Sequence, residues 1–184
     1  IQEQEKYDLL RTKVARLFAQ WKNSEQKEMP SSLSSLIFES RRIIRGAEQK
    51  LHKMEEILTD NYNADQHWLI YCDTESMLNK AREIIRKLGH NPYIYHSKMN
   101  SFDQKKTLQA FERSGGILLA IKCLDEGVNI SKISHGIILS STTNPREFVQ
   151  RRGRLLRKSP GKEKAMIFDT FALPNSFESN MGFI

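Results

Sequence analysis

The residues best suited to chemistry lie in an arginine-rich run, residues 150–157, with the sequence QRRGRLLR. A helix is predicted to begin at Pro145, and in a helix Gln150, Arg154 and Arg157 share one face because they are spaced i, i+4 and i+7. Arginine presents a planar fork of donors that fits phosphate oxygens. The run therefore predicts a phosphate-binding helix or an ordinary basic surface helix, and spacing alone leaves both open.

A second candidate is the turn at residues 122–130, which follows a predicted strand at 117–121. The carboxyl end of a parallel strand exposes groups to ligands, and Gly127 permits a close backbone approach. Asp125 and Glu126 are similar to a magnesium-holding pair, but they do not directly end the strand. The phosphate-cradling pattern GxxxxGK[ST] is also missing from the sequence. We therefore expect side chains of this protein to donate hydrogen bonds to a nucleotide that is held elsewhere. We expect no metal site.

A third candidate is His96-Ser97-Lys98, between a predicted strand and a predicted helix. No carboxylate or nucleophile is tied to His96 by its spacing, so a hydrogen-bonded loop histidine is favoured over a catalytic base. Ser97 and Lys98 are suited to contacts with phosphates.

The elements that must position these residues follow from the periodicity of the apolar residues. From residue 67 onward, short apolar runs alternate with helical segments, which predicts an α/β fold: a parallel sheet with helices on both faces. A capping box formed by Ser101 and Gln104 is predicted to open one helix, which ends before Gly115. The predicted strands are 68–72, 93–95, 117–121, 137–139 and 165–168.

The first third of the chain has helical spacing instead, interrupted at Pro30. It predicts two amphipathic helices that form an α-helical extension before the sheet. We expect a helical accessory segment at 1–60, the α/β domain at 61–172 and a tail or linker at 173–184. The abrupt start and the polar tail suggest a fragment of a longer protein.

Composition narrows the class of protein. The net charge of +7 suits a polyanionic partner, although charge alone does not define a binding site. Basic residues of the second helix, including Lys50 and Lys53, are expected to face solvent rather than to contact nucleic acid.

Cys72 and Cys123 have no zinc or disulfide spacing and are expected to be buried thiols. No apolar run approaches the roughly 20 residues of a membrane span, so a cytoplasmic protein is expected.

In order and spacing, the motifs resemble those of the second RecA-like domain of superfamily 2 helicases and translocases. The resemblance covers about 61–172, and the QRRGRLLR run is its most specific part. The Glu126-Gly127 turn and Gln150 look closer to restriction-enzyme and repair-type DNA translocases than to DEAD-box RNA helicases. The matching segments are 69–72 for motif IV, 95–97 for the strand-end motif after it, 120–130 for motif V and 150–157 for motif VI.

The resemblance implies roles for the residues of motifs V and VI. Arg154 and Arg157 take the place of arginine fingers that reach ATP held on a first RecA-like domain, and Gln150 organises the same face. Gly127 would pass beside the nucleotide. Asn129 departs from the usual aspartate of the family, which leaves its contact with the nucleotide in question.

The resemblance also implies partners. Ser97, Lys98 and Lys122 would contact nucleic-acid phosphates, with DNA favoured over RNA. ATP and Mg²⁺ would be held mainly by the first domain, so this chain alone is predicted to be inactive as an ATPase. The alternative is a non-catalytic nucleic-acid-binding or scaffold module. A methyltransferase is disfavoured, because residues 73–76 (DTES) replace the glycine-rich turn that it would need.

Overall fold

The computed structural model describes residues 2–25, 27–121, 132–139, 164–170 and 172. Their contacts divide the chain into two compact units, one formed by residues 1–47 with 172–184 and the other by residues 48–171. The helices are α1 (Gln2–Lys22), α2 (Ser31–Gly46), α3 (Gln49–Asn61), α4 (Glu75–Lys87) and α5 (Ser101–Ser114). The strands are β1 (His67–Cys72), β2 (Tyr93–Tyr95), β3 (Gly116–Ile121), β4 (His135–Ile138) and β5 (Met166–Asp169).

In the larger unit the described residues form a five-stranded sheet in the order β2-β3-β1-β4-β5. Every pairing is parallel, with Tyr71 of β1 opposite Ala120 of β3 and Ile138 of β4. Strands of such a sheet are buried on both faces, which explains their nearly continuous apolar runs. The predicted parallel sheet of the α/β class is confirmed.

Side chains of β1 alternate between two cores. Trp68, Ile70 and Cys72 pack with residues of α3 and α4 on one face of the sheet. Leu69 and Tyr71 pack with α5 on the other. The period of two along the strand thus places helices on both faces, as predicted.

Helix α3 differs from the sequence prediction, in which a single second helix continued to about residue 58. The chain leaves the helical conformation at Ala47, where ψ is 126°, and α3 begins at Gln49. Leu51, Met54 and Leu58 of α3 join the same core as β1. The compact unit that contains the sheet comprises Glu48–Phe171.

The smaller unit consists mainly of α1 and α2, whose buried residues include Leu10 and Leu33. Lys6 of α1 forms an ion pair of 3.1 Å with Glu39 of α2. Both side chains of the pair are well exposed, so it contributes little to the free energy of unfolding.

The thiol of Cys72 is confirmed as buried, with 1% of the residue exposed. Burial, with a smaller effect of Asp73, raises the pKa of Cys72 from an ordinary 9.0 to about 12. Because the unfolded thiol ionises first, this group's contribution to stability is complete below pH 9.0 and is lost as the pH rises towards 12. Cys123 lies outside the described residues.

We expect Cys72 to resist thiol reagents in the native protein, because the thiolate is the reactive species. In a Cys123→Ser variant, which leaves Cys72 as the sole cysteine, an aromatic disulfide reagent should label slowly in mildly alkaline buffer. Labelling should accelerate at the denaturant concentration where circular dichroism reports unfolding. Rapid labelling of the native variant would contradict the buried position.

Candidate functional site

The carboxyl ends of the parallel strands meet at one edge of the sheet, where ligands of such folds collect. The chain moves from β1 to β2 and β3 on one side and to β4 and β5 on the other, so the strand order reverses beside β1. The described residues that directly follow strands at this edge include Asp73, His96, Leu139 and Thr170. This edge is the candidate functional site.

The predicted phosphate contacts Ser97 and Lys98 lie at this edge, in the loop between β2 and α5. Gln104 holds the loop in place, since its side-chain amide donates to the carbonyl oxygens of His96 and Met99, each at 3.2 Å. Ser97 and Lys98 remain exposed at the loop tip. The loop is therefore fixed at its ends and presents a hydroxyl and an ammonium group to solvent.

The start of α5 differs from the predicted capping box. Asn100, not Ser101, is the N-cap, and its side-chain oxygen accepts from the Asp103 amide at 2.8 Å. The side chain of Gln104 bonds to the preceding loop instead of completing a capping box with Ser101. The same bonds thus order both the loop and the first turn of the helix.

Lys98 also forms an ion pair across the edge with Glu75, at the start of α4. Its ammonium group donates to the carboxylate at 2.7 Å, and both side chains are exposed. The hydrogen bond from Lys98, followed by its charge, lowers the pKa of Glu75. A phosphate that binds Lys98 must therefore compete with the Glu75 carboxylate. The competition is weak, because the ion pair is exposed to solvent.

His96 matches its prediction in part. Its backbone carbonyl accepts from Met99 at 3.2 Å, but its ring Nδ1 is buried without a hydrogen-bond partner among the residues that the structure describes. The ring is near enough to Glu75 to contribute to the lowered pKa of that carboxyl. The backbone of His96 is thus hydrogen-bonded as expected of a loop histidine, but its ring Nδ1 is not bonded to any described residue.

Lys50 is a residue of this edge that the sequence prediction misplaced. It is only 3% exposed, and its ammonium group donates to the Leu139 carbonyl at 3.0 Å, just after β4. Lys53, on the next turn of α3, is exposed as predicted and pairs with Glu56. Helical spacing cannot distinguish these lysines, because burial of Lys50 follows from the packing of α3 on the sheet.

The remaining predicted site residues lie outside the described residues. Residues 122–131 directly follow β3, and residues 140–163 begin after Leu139 at the end of β4. Both segments thus leave from the candidate edge, and their roles stay predictions. The residues concerned are Lys122, Gly127, Asn129, Gln150, Arg154 and Arg157.

Two general features of the described residues bear on cofactors and membranes. Their histidine, cysteine, aspartate and glutamate side chains form no group of three or more that could hold a metal ion. Their helices include none that is both long and apolar enough to cross a membrane.

Comparison with known proteins gives a consistent match. The model of the family described as "Helicase conserved C-terminal domain" matches residues 49–159, more than half of the chain. The DEAD-box ATP-dependent RNA helicase 22 of Oryza sativa subsp. japonica is 25% identical over 89 residues, covering 48% of this chain and 15% of that protein. The ATP-dependent RNA helicase DBP8 of Gibberella zeae is 26% identical over 109 residues, covering 59% of this chain and 20% of that protein. The chain thus spans a small part of these relatives.

Solved structures support the fold. The E. coli DEAD-box protein SrmB, bound to regulator of ribonuclease activity A, superposes with a TM-score of 0.56 at 14% identity, covering 66% of this chain and 69% of that one. The C-terminal domain of the DEAD-box protein Dbp5 gives a TM-score of 0.56 at 18% identity, covering 70% and 73%. The predicted RecA-like architecture is confirmed by these similarities.

The predicted kinship with restriction-enzyme and repair-type translocases is wrong, since these curated relatives are RNA helicases. That prediction rested on the Glu126-Gly127 turn and on Gln150, a few positions within short motifs. They carry less information than an alignment of 109 residues. The preference for DNA, which rested on the same kinship, loses its support.

Proposed function

The chain belongs to the helicase conserved C-terminal domain family, and from this premise we propose that it is the second motor domain of an ATP-dependent superfamily 2 helicase acting on RNA. The observation that carries the proposal is the family match over residues 49–159, which includes strands β1 to β4 and the arginine-rich run at 150–157. RNA is the proposed track because the matched curated relatives are named as RNA helicases.

In this proposal ATP and Mg²⁺ are held mainly by a first RecA-like domain. The sequence of this chain contains no GxxxxGK[ST] pattern, whose backbone amides and lysine cradle phosphates in such enzymes. This chain supplies Arg154 and Arg157, which stabilise the charge that develops during phosphoryl transfer. Gln150, Gly127 and Asn129 complete the nucleotide-facing surface.

The nucleic acid is gripped at the carboxyl edge of the sheet. Ser97 and Lys98 are exposed there on a loop that Gln104 holds by two hydrogen bonds. Lys122 directly follows β3, the strand that pairs with β2, and joins them in contacting phosphates. Contacts of this kind fix the position of the strand without reading its sequence.

A second candidate function is a non-catalytic nucleic-acid-binding module with the same fold. Asn129 favours it, because the resembling motif usually carries aspartate there and the amide lacks its charge. ATP turnover by a longer protein that includes the first RecA-like domain distinguishes the two functions. Only turnover by a motor should depend on Arg154 and Arg157.

Binding of labelled single-stranded RNA and DNA to this chain at a series of salt concentrations tests the proposed grip. We expect RNA binding that weakens linearly on a log-log plot, because each neutralised phosphate of a single strand releases about 0.7 counterion. Lys98→Ala should reduce the slope by about that amount.

Lys53→Ala is the matched control, because Lys53 is also exposed and also pairs with a glutamate, at 2.6 Å. Its slope should equal that of the wild type. If the chain binds neither RNA nor DNA, or if Lys98→Ala and Lys53→Ala give equal slopes, the proposed phosphate contact of Lys98 is wrong. If this chain alone hydrolyses ATP and Arg154→Ala abolishes that activity, the proposal that a separate domain holds the ATP phosphates is wrong.

A further inference from the structure

The exposed face of α5 combines basic side chains with one aromatic ring. Positions i+3, i+4, i+7 and i+11 from Phe102 return to the same side of a helix. Each of these residues is exposed, and none is acidic. The members of this α5 face are Phe102, Lys105, Lys106, Gln109 and Arg113.

Phe102 is not part of the core of its unit. The ring is 75% exposed, whereas Phe111, nine residues later and therefore on the opposite side of α5, is fully buried against the sheet. Leu108 packs against the same core as Phe111. Folding thus uses one side of the helix and leaves an aromatic ring on the other.

Phe102 also adjoins the proposed grip. The loop with Ser97 and Lys98 is fastened to the first turn of α5 by the two bonds of Gln104 and by the Asn100 cap. At the far end of the helix, Lys132 donates to the Glu112 carbonyl at 3.0 Å, next to Arg113. Positive charge therefore extends along α5, about 21 Å in length, from the carboxyl edge.

The chemistry of this face matches single-stranded nucleic acid. Such strands bind where basic side chains follow the backbone and an aromatic ring stacks on a base. Lysines are depleted from the cores of protein interfaces, so two lysines within one turn of Phe102 disfavour a protein partner. Phosphate contacts alone would leave the exposed ring without a role.

We propose that Phe102 is a base-stacking platform for the nucleic-acid strand whose phosphates lie along Lys105, Lys106 and Arg113. The proposal rests on the proposed function for the presence of the strand, and adds that this surface contacts bases as well as backbone. Because every base has a π-face, the contact is tolerant of sequence.

The test compares two oligoribonucleotide probes of equal length, one with bases and one fully abasic, bound to this chain at a fixed salt concentration. Phe102→Ala should weaken binding of the probe with bases by about 10-fold and leave the abasic probe unaffected, because both carry the same phosphates. Phe102→Trp should restore binding. Lys106→Ala should weaken both probes alike.

Phe38→Ala is the matched control, since Phe38 is 67% exposed but lies on α2 of the other unit. It should bind both probes like the wild type. An unchanged affinity of Phe102→Ala, or an equal loss on both probes, would overturn the stacking platform while leaving the phosphate grip intact. If the wild type binds neither probe, both the proposed function and the stacking platform are wrong.

Discussion

On the proposed function, Arg154→Ala in a longer protein that also holds the first RecA-like domain is expected to slow nucleic-acid-stimulated ATP turnover by about 10³–10⁵-fold, the range typical of arginine fingers. In the proposed role the guanidinium group acts on charge that develops at the γ-phosphate, so its removal should lower the turnover rate more than the affinity for ATP. Steady-state turnover at saturating ATP and RNA, with ATP affinity measured separately, checks both parts.

Arg152→Ala is the matched control for that variant, because Arg152 is two residues from Arg154 and, in the helix predicted from the sequence, would lie off the face of Gln150, Arg154 and Arg157. It removes the same charge and should retain turnover within a few-fold. If both variants turn over ATP at the same rate, the run is a basic helix only and the non-catalytic module becomes the better account. Arg157→Ala should behave like Arg154→Ala, since the sequence predicts that both lie on the same helical face.

The five strands could be predicted from the sequence because a parallel sheet buries both faces of its strands. The run 68–72 corresponds to β1 and the run 93–95 coincides with β2. In a chain of this size, a continuous apolar run is rarely stable outside the interior of such a sheet. The fold class therefore follows from local pattern and alternation.

The break between α2 and α3 could not be predicted in the same way. Apolar residues continue at spacings of three and four across the break, with Ile44, Ala47 and Leu51 in one series. Periodicity records which residues face a core, but not which core they face. The packing of Leu51 in the core beside β1 is a tertiary contact, and the non-helical ψ of Ala47 leaves no mark in the apolar spacing.

The candidate site was predictable in outline only. Ser97 and Lys98 lie at the carboxyl edge because they directly follow β2, which a strand prediction already implies. The engagement of Lys98 by Glu75 and the burial of Lys50 depend on neighbours distant in sequence. Those contacts determine how available each positive charge is to a phosphate, and spacing within a motif carries no information about them.

Trp68→Ala is expected to cost about 3–5 kcal/mol of the free energy of unfolding, the typical range for deleting a buried tryptophan. Trp68 is 0% exposed on the central strand β1. Its ring stacks on His135 with centroids 4.5 Å apart and on Phe168 at 6.0 Å, so it joins β1, β4 and β5 on one face of the sheet. A domain stabilised by about 5–15 kcal/mol loses a large share of its stability by this change.

Trp21→Ala is the control in the same chain, which contains two tryptophans. Trp21 is half-buried on α1, where it contacts Phe18 and donates to the Glu28 carbonyl at 2.9 Å. Its removal should leave the unfolding of the sheet unit nearly unchanged, because residues 48–171 form their own compact unit. Guanidinium unfolding followed by circular dichroism compares the two variants.

Trp68→Phe separates packing from hydrogen bonding. Phenylalanine keeps a ring between His135 and Phe168 but loses the indole N–H that donates to Gln66 at 2.7 Å. We expect a loss of about 1–2 kcal/mol, from the smaller ring and the unmade bond together. If Trp68→Ala unfolds at the same denaturant concentration as Trp21→Ala, the stacked column does not hold these strands together. The stability of the sheet must then come mainly from its other contacts, including those of α5 on the opposite face.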